Sequence, residues 1–144
     1  MNNNFEKTGY LLKQAQQQLR RRMDGLLEKE GLTMAQYVAL SLMEMSPHIS
    51  NAQMARRAFV TPQTMHRIVK DVESAGLAKV EAEYMSRKLI QRVLTEKGKE
   101  KVQAAHITAE AVESRMLEGF LSDDIERLNE YLKMLVRNLS GNEI

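Results

Sequence analysis

The sequence predicts a mostly α-helical, α+β chain that contains one small β-hairpin. Two prolines and seven glycines interrupt its 144 residues, so long helices can form with few internal breaks. Apolar residues recur every three or four positions over most of the chain, whereas the stretch after Gly76 alternates with a period of two. Basic side chains are concentrated in residues 51–101, where 11 stand against 6 acidic ones, which indicates a polyanion-binding segment between ends that do not bind.

Apolar stripes and their breaks predict the first two helices. The first runs from Phe5 to about Glu30 and stops at Gly31. The second begins after the cap Thr33 and breaks at Pro47. The apolar stripes of these helices are Leu12, Ala15, Leu19, Met23 and Leu26 on the first and Tyr37, Leu40 and Met43 on the second.

Two short helices joined by a turn follow. Ser50 caps a helix over Asn51 to Ala58 with an apolar inner face. Thr61 and Pro62 begin the next helix, because Thr caps a helix and Pro suits the first helical position. Gly76 ends this fourth helix, whose buried stripe is Met65, Ile68, Val69 and Val72. The polar and basic outer face left by this stripe is typical of a helix-turn-helix.

The period-two stretch predicts a hairpin attached to this unit. Val80 and Ala82 alternate with charged residues, and a second strand covers Leu89 to Leu94. The connecting loop is placed at Tyr84 to Lys88, with its tip at residues 85–87. Residues 32–95 are therefore predicted to form a winged helix-turn-helix.

Two further helices complete the chain. Thr95 is placed as the cap of a long helix and Ser122 as the cap of the last one, where Asp123 and Asp124 favour the positive end of the helix dipole. Their apolar stripes are Val102, Ala105, Ala109, Val112, Met116 and Phe120, then Ile125, Leu128, Leu132, Leu135 and Leu139. These stripes exceed what one small module can cover, so residues 1–31 and 96–144 are predicted to be a helical dimerisation layer in a single domain of residues 1–144.

Composition and motifs exclude several function classes. Without cysteine the chain has no disulfide framework, no Cys-ligated metal and no thiol nucleophile. His48, His66 and His106 show no metal-ligand spacing, and the nucleotide-binding and hydrolase motifs are absent from the sequence, so we expect neither a metal nor an enzyme. No apolar run reaches the length of a membrane span and the start lacks the features of a secretory signal, so we expect a cytoplasmic protein without membrane contact.

The fourth helix supplies the predicted contacts to DNA bases, because an α-helix fits the major groove and its first turns meet base edges. Gln63 could bond adenine, and Arg67 either guanine or phosphate. Phosphate contacts are expected mainly from polar side chains near the helix N-termini. Arg57 ranks below these side chains as a phosphate contact, because it could instead hold a turn. The complete set of predicted DNA-binding residues is Ser50, Asn51, Gln53, Arg56, Thr61, Pro62, Gln63, Thr64, His66, Arg67, Lys70, Arg87 and Lys88.

Four ordered motifs resemble a known family. Residues 32–37, Leu-Thr-Met-Ala-Gln-Tyr, are similar to an L-T-x-x-Q helix opening, and residues 60–69, Val-Thr-Pro-Gln-Thr-Met-His-Arg-Ile-Val, to a recognition helix. Residues 73–77, Glu-Ser-Ala-Gly-Leu, resemble the E-x-x-G-L that enters a wing, and residues 94–98, Leu-Thr-Glu-Lys-Gly, the L-T-x-x-G that leaves it. Over nearly its whole length the chain resembles the MarR family of bacterial transcription regulators.

This resemblance implies a homodimer in which the first, fifth and sixth helices form the shared layer. It implies two winged modules in adjacent major grooves of a pseudo-palindromic operator, and repression that a small aromatic or lipophilic effector relieves. Such effectors are expected between the dimer layer and the DNA module.

The wing departs from the family pattern. Val80 and Glu81 stand where the family usually has arginine, and Ser86, Arg87 and Lys88 stand at a tip that usually carries a carboxylate. Acidic strand residues repel phosphate if they face it. Two functions therefore remain open: a ligand-responsive, sequence-specific DNA-binding repressor, and a dimeric winged-helix interaction protein with weak or no specific DNA binding.

Overall fold

The structure, a computed structural model, describes residues 7–84 and 89–141 and confirms a mostly helical chain with one antiparallel hairpin. Its elements are α1 (Thr8–Lys29), α2 (Met34–Met45), α3 (Asn51–Arg57), α4 (Pro62–Ser74), β1 (Ala78–Tyr84), β2 (Leu89–Leu94), α5 (Glu96–Met116) and α6 (Ser122–Ser140). The chain divides into two compact units, Met1–Val112 and Glu113–Ile144.

The predicted helix caps in the first unit are confirmed. The Thr33 hydroxyl accepts from the Gln36 N–H, and the Gln36 side chain accepts from the Thr33 N–H in return. Ser50 and Gln53 form the same reciprocal pair at α3. Thr61 accepts from the Thr64 N–H at 3.1 Å to begin α4. Each pair satisfies helical N–H groups that have no partner within the helix. Helix α3 ends at Arg57, one residue earlier than predicted, since Ala58 is its C-cap.

The core of the first unit lies beneath α4. All four residues of the predicted α4 stripe are buried. On α1, Leu26 of the predicted stripe packs half-buried against the core, whereas Leu27, which lies outside that stripe, is fully buried. Met23 and Leu27, four residues apart, share the face of α1 that enters the core, and Leu12 stays 43% exposed because only the C-terminal part of α1 reaches that core. The largest fully buried side chains are Leu27, Leu40, Met43, Met54, Met65, Val69, Val72 and Val102.

The hairpin is longer than predicted and carries a bulge. Tyr84 was placed in the loop, but it belongs to β1 and pairs with Leu89. The register shifts between Val80 and Ala82, so Glu81 is the extra residue that bends the strand. The predicted tip at residues 85–87 lies outside the described residues.

The first turn of α5 is hydrogen-bonded to the backbone that follows α4. Thr95, the predicted cap, accepts from the Gly98 N–H at 3.1 Å. The same residue donates through its N–H to the Leu77 carbonyl (3.1 Å) and through its hydroxyl to the Gly76 carbonyl (2.6 Å). Lys97 donates to the Ala75 carbonyl at 3.1 Å. The last carbonyls after α4 therefore find their partners in the first turn of α5.

The second unit consists mainly of α6. Its N-cap is Leu121 in an extended conformation and not Ser122, which already lies in the helix. The Asp124 carboxylate accepts from the Leu121 N–H at 3.3 Å, which is the bond that the third helical residue makes in a capping box. No described residue of α6 is buried, and Leu139 on its apolar stripe is 82% exposed.

Candidate nucleic-acid interface

One face of α4 carries four exposed polar or basic side chains. Gln63, His66, Arg67 and Lys70 follow one another at steps of three, one and three residues, opposite the buried stripe. This spacing places them on one side of the helix, over its first three turns. Arg67 makes no ion pair or side-chain hydrogen bond within the described residues, whereas the Lys70 ammonium lies 3.9 Å from the Glu73 carboxylate. The face is free to meet base edges and phosphates.

The predicted phosphate contacts at the helix N-termini are already engaged in capping. Ser50 and Thr61 each accept one N–H bond, and Thr61 also donates to the Thr64 hydroxyl at 2.9 Å. Gln53 uses its amide oxygen at the α3 cap. Asn51 is half-buried, and its amide nitrogen donates to the Pro62 carbonyl at 3.2 Å. Asn51 therefore joins α3 to the start of α4, a structural role that the sequence prediction missed.

The end of α3 presents two neighbouring cations. Arg56 and Arg57 are exposed and line a cleft of about 430 Å³ together with Ser46, Ile49 and Gln53. Arg57 makes no side-chain hydrogen bond or ion pair within the described part of the chain, so the alternative role of holding a turn has no support from its contacts. Both guanidinium groups are available to an anion.

The wing contributes an ion pair that the sequence prediction did not identify. Arg92 on β2 is only 8% exposed and forms a hydrogen-bonded ion pair with Glu73 near the end of α4. This pair fixes the wing to the helix that carries the candidate DNA contacts. Lys79 and Glu81 on β1 are exposed, while the predicted contacts Arg87 and Lys88 lie outside the described residues.

A cleft of about 530 Å³ opens between the end of α2, the wing and the start of α5. Met43, Val93 and Leu94 supply its apolar part. Its rim carries charges of both signs. Lys99 is paired with Glu96 at 3.1 Å, and Lys79 has no ion-pair partner among the described residues. An apolar cleft with a few charged groups is the usual form of a small-molecule site.

A hydrogen-bond network beside this cleft joins α2 to α5. The Tyr37 hydroxyl lies 2.9 Å from Nδ1 of His106, and Nε2 of His106 lies 2.7 Å from the Glu44 carboxylate, which also accepts from Gln103. Burial raises the pKa of Tyr37 above its usual value of 10.0; a hydrogen bond with Ser41 lowers the pKa by less, and the carboxylates of Glu44 and Glu110 raise it slightly further. Tyr37 therefore stays protonated at neutral pH and can donate to His106.

Over residues 7–84 and 89–141, no three His, Asp or Glu side chains are grouped so that they could hold a metal ion. None of the helices in these ranges combines the length and the apolar character needed to cross a membrane.

Comparison with known proteins gives consistent matches. Residues 30–89 match the model of the MarR family. The HTH-type transcriptional repressor Rv2887 of Mycobacterium tuberculosis is 33% identical over 109 residues, which are 76% of this chain and 78% of the repressor. The crystal structure of that MarR family protein with DNA has a TM-score of 0.73 at 29% identity and covers 90% of this chain and 97% of the other. The crystal structure of the same protein with salicylic acid has the same TM-score and identity, and it covers 92% of this chain and 98% of the other.

Proposed function

The chain belongs to the MarR family, and we propose that it is a ligand-responsive transcriptional repressor which binds a pseudo-palindromic operator as a dimer. The observation that carries this function is the exposed face of α4, where Gln63, His66, Arg67 and Lys70 lie opposite a fully buried stripe. The fold supplies a helix that fits the major groove, and its relative Rv2887 has been crystallised with DNA. A regulator of this kind acts where the chromosome lies, so we place it in the cytoplasm.

The DNA contacts divide into two groups. We assign base readout to Gln63, Thr64, His66 and Arg67, since these residues occupy the first two turns of α4. We assign the phosphate backbone to Arg56 and Lys70, to the capped helix starts and to the wing. The residues in this second group are Ser50, Asn51, Gln53, Arg56, Thr61, Pro62, Lys70, Arg87 and Lys88. Asn51 and Gln53 would act mainly by holding the helix starts in place, because their side chains are already hydrogen-bonded there.

Replacement of Arg67 by alanine tests this assignment. A bidentate contact to guanine contributes about 1 to 3 kcal/mol of discrimination, so Arg67→Ala should weaken operator binding about 5- to 150-fold and relax specificity at one base pair. The matched control is Arg127→Ala, which removes an exposed arginine of α6 that has no ion pair among the described residues. Footprinting should show two half-sites about 10 base pairs apart. Unchanged affinity for Arg67→Ala, or protection of a single asymmetric half-site, would contradict the docking.

We propose that residues 1–31 and 96–144 form the dimerisation layer and residues 32–95 the DNA-binding module. Apolar side chains on α1, α5 and α6 support this division: Leu12, Met116 and Leu139 are 43%, 48% and 82% exposed in the isolated chain. A second copy of the chain would cover such stripes. Sedimentation at low micromolar concentration should give a dimer, and a species of 16.5 kDa at every concentration would exclude it.

We propose that the effector site is the cleft between α2, the wing and the start of α5. Its apolar side chains suit an aromatic ring, and Lys79, which is unpaired among the described residues, suits a carboxylate. Salicylate, which Rv2887 binds in a crystal structure, is the first probe. In the wild type it should lower operator affinity, whereas Lys79→Met should bind operator and lose this response. Lys133→Met on α6 is the control that should keep it. An equal response in all three proteins would exclude Lys79 as the anion-binding group.

A second candidate function is favoured by one observation, the exposed Glu81 on the wing. A dimeric interaction protein that retains the winged fold would bind DNA weakly and without preference. Titration of operator and scrambled DNA over a salt series separates the two functions, because a specific regulator keeps a large affinity ratio between them.

A further inference from the structure

Phe59, in the turn between α3 and α4, combines two unusual features. Its φ is +56°, and it is the only residue other than glycine with positive φ in the described ranges. Its side chain is 95% exposed. The turn itself is ordered by backbone hydrogen bonds, from the Phe59 N–H to the Arg56 carbonyl at 3.3 Å and from the Val60 N–H to the Ala55 carbonyl at 3.0 Å.

The fold does not account for a phenylalanine at this position. Single exposed apolar residues are common on protein surfaces, but a bulky side chain in the left-handed region is a rare combination. Glycine would adopt this conformation without steric cost. The ring contributes almost no burial within the chain in return. A strained residue of this kind points to a role outside the folded chain.

The surroundings of Phe59 match the backbone of DNA. The turn directly precedes the N-terminus of α4, and the Thr61 cap is two residues further along the chain. Arg56 and Arg57, just before the turn, are exposed and unpaired among the described residues. Phosphates and deoxyriboses alternate along a DNA strand, so two cations beside one apolar ring complement both parts.

We propose that Phe59 is a DNA-contact residue whose ring packs on deoxyribose at the edge of the groove that α4 enters. This inference rests on the proposed function as a DNA-binding regulator. A sugar is favoured over a base because residue 59 lies outside the helix that enters the groove. The contact is sequence-independent and apolar, whereas Arg57 beside it binds phosphate.

The two kinds of contact respond differently to salt. An apolar contact releases no counterion, so Phe59→Ala should weaken binding to operator and to scrambled DNA alike, by about 5- to 20-fold, with an unchanged slope of log affinity against log salt. Arg57→Ala should lower the magnitude of that slope by about 0.9. Met45→Ala is the control, since it truncates another exposed apolar side chain, 72% exposed at the end of α2, and should leave both DNA affinities unchanged.

The experiment consists of fluorescence titrations of the four proteins against both DNAs at several salt concentrations. Thermal denaturation accompanies them, and Phe59→Ala should unfold within a few degrees of the wild type because the ring buries so little. Unchanged DNA affinity of a folded Phe59→Ala would overturn the inference, and is the result expected if the ring instead docks on a protein. A loss confined to the operator would also overturn it, because the ring would then contact a base. Failure of the wild type to bind any DNA would instead refute the proposed function.

Discussion

Replacement of Gly98 by alanine should destabilise the protein although alanine is the better helix former. Gly98 lies in the first turn of α5, against the backbone of Leu77. A Cβ built on Gly98 would lie 2.9 Å from the carbonyl carbon of Leu77 and closer still to its oxygen. Real Cβ atoms essentially never approach that closely, and the obstacle is backbone, so the two segments would have to separate.

The free-energy cost of separating the two segments can be estimated from the hydrogen bond that the Leu77 carbonyl accepts. It accepts the Thr95 N–H at 3.1 Å, so moving it away weakens a hydrogen bond of about 0.5 to 1.5 kcal/mol. Overpacking adds about 1 to 3 kcal/mol, and the helix preference of alanine over glycine returns about 1 kcal/mol. The expected net loss is about 2 kcal/mol, or about 8 °C in Tm for a chain of this size.

Gly25→Ala is the matched control, because a Cβ at this position in α1 would meet nothing within 4 Å. Without a clash, it should stabilise the protein by about 0.5 to 1 kcal/mol. Urea and thermal denaturation of both variants and the wild type, at one protein concentration, measure the difference. If Gly98→Ala were as stable as Gly25→Ala, the close approach between α5 and Leu77 would not exist in solution.

Three further substitutions test other contacts. Glu73→Gln leaves the buried Arg92 without its carboxylate, so it should lower the free energy of unfolding by about 2 to 4 kcal/mol. An unchanged midpoint in urea denaturation would show that the pair is not formed. Burial raises the pKa of Tyr37, so the stability that the neutral phenol contributes is present below pH 10 and is lost as the pH rises further. Tyr37→Phe should lack this alkaline loss. If the free energy of unfolding fell equally steeply above pH 10 in the wild type and in Tyr37→Phe, this expectation would be wrong. Glu81→Arg should raise affinity for operator and scrambled DNA alike in titrations, and no response would mean that the wing stays off the duplex.

The sequence was sufficient where the deciding contacts are local. The caps at Thr33, Ser50 and Thr61 each depend on a partner three residues away, and the α4 stripe follows from helical periodicity alone. The exposed face of α4 was predicted for the same reason, as the complement of that stripe. At α6 the same reasoning placed the N-cap one residue too late, at Ser122. The helix start is formed instead by Leu121, the N-cap, and by Asp124, which accepts its N–H.

Contacts between distant parts of the chain could not be predicted in this way. Glu73 and Arg92 are 19 residues apart, and Tyr37 and His106 are 69 apart. The sequence did carry a signal for the pair of Glu73 and Arg92, because Arg92 stands among apolar residues on a strand that has one buried side. Partner identity depends on the docking of β2 against α4, which periodicity does not specify. The left-handed turn at Phe59 left no signal, because glycine is the residue normally expected there.

Two of the sequence motifs are hydrogen-bonded to each other and form the joint between α4 and α5. Residues 73–77 end α4, residues 94–98 begin α5, and Thr95 and Lys97 donate to the carbonyls of Ala75, Gly76 and Leu77. Those carbonyls have no partners within α4 itself, so the first turn of α5 holds the end of the recognition helix in place. Gly98 permits this because any side chain there would separate the two segments.

This joint gives a physical route from the proposed effector cleft to DNA. Thr95, Glu96 and Lys99 line the cleft, and Thr95 is also the residue that holds the carbonyls after α4. A compound bound there would contact the turn of α5 that positions the recognition helix, and it could shift that helix only if it bound one orientation of the turn better than another. Thr95→Val removes both hydroxyl bonds, to the Gly76 carbonyl and from the Gly98 N–H, and keeps the shape of the side chain. It should therefore weaken operator binding even without effector, while retained affinity would show that the joint does not position α4.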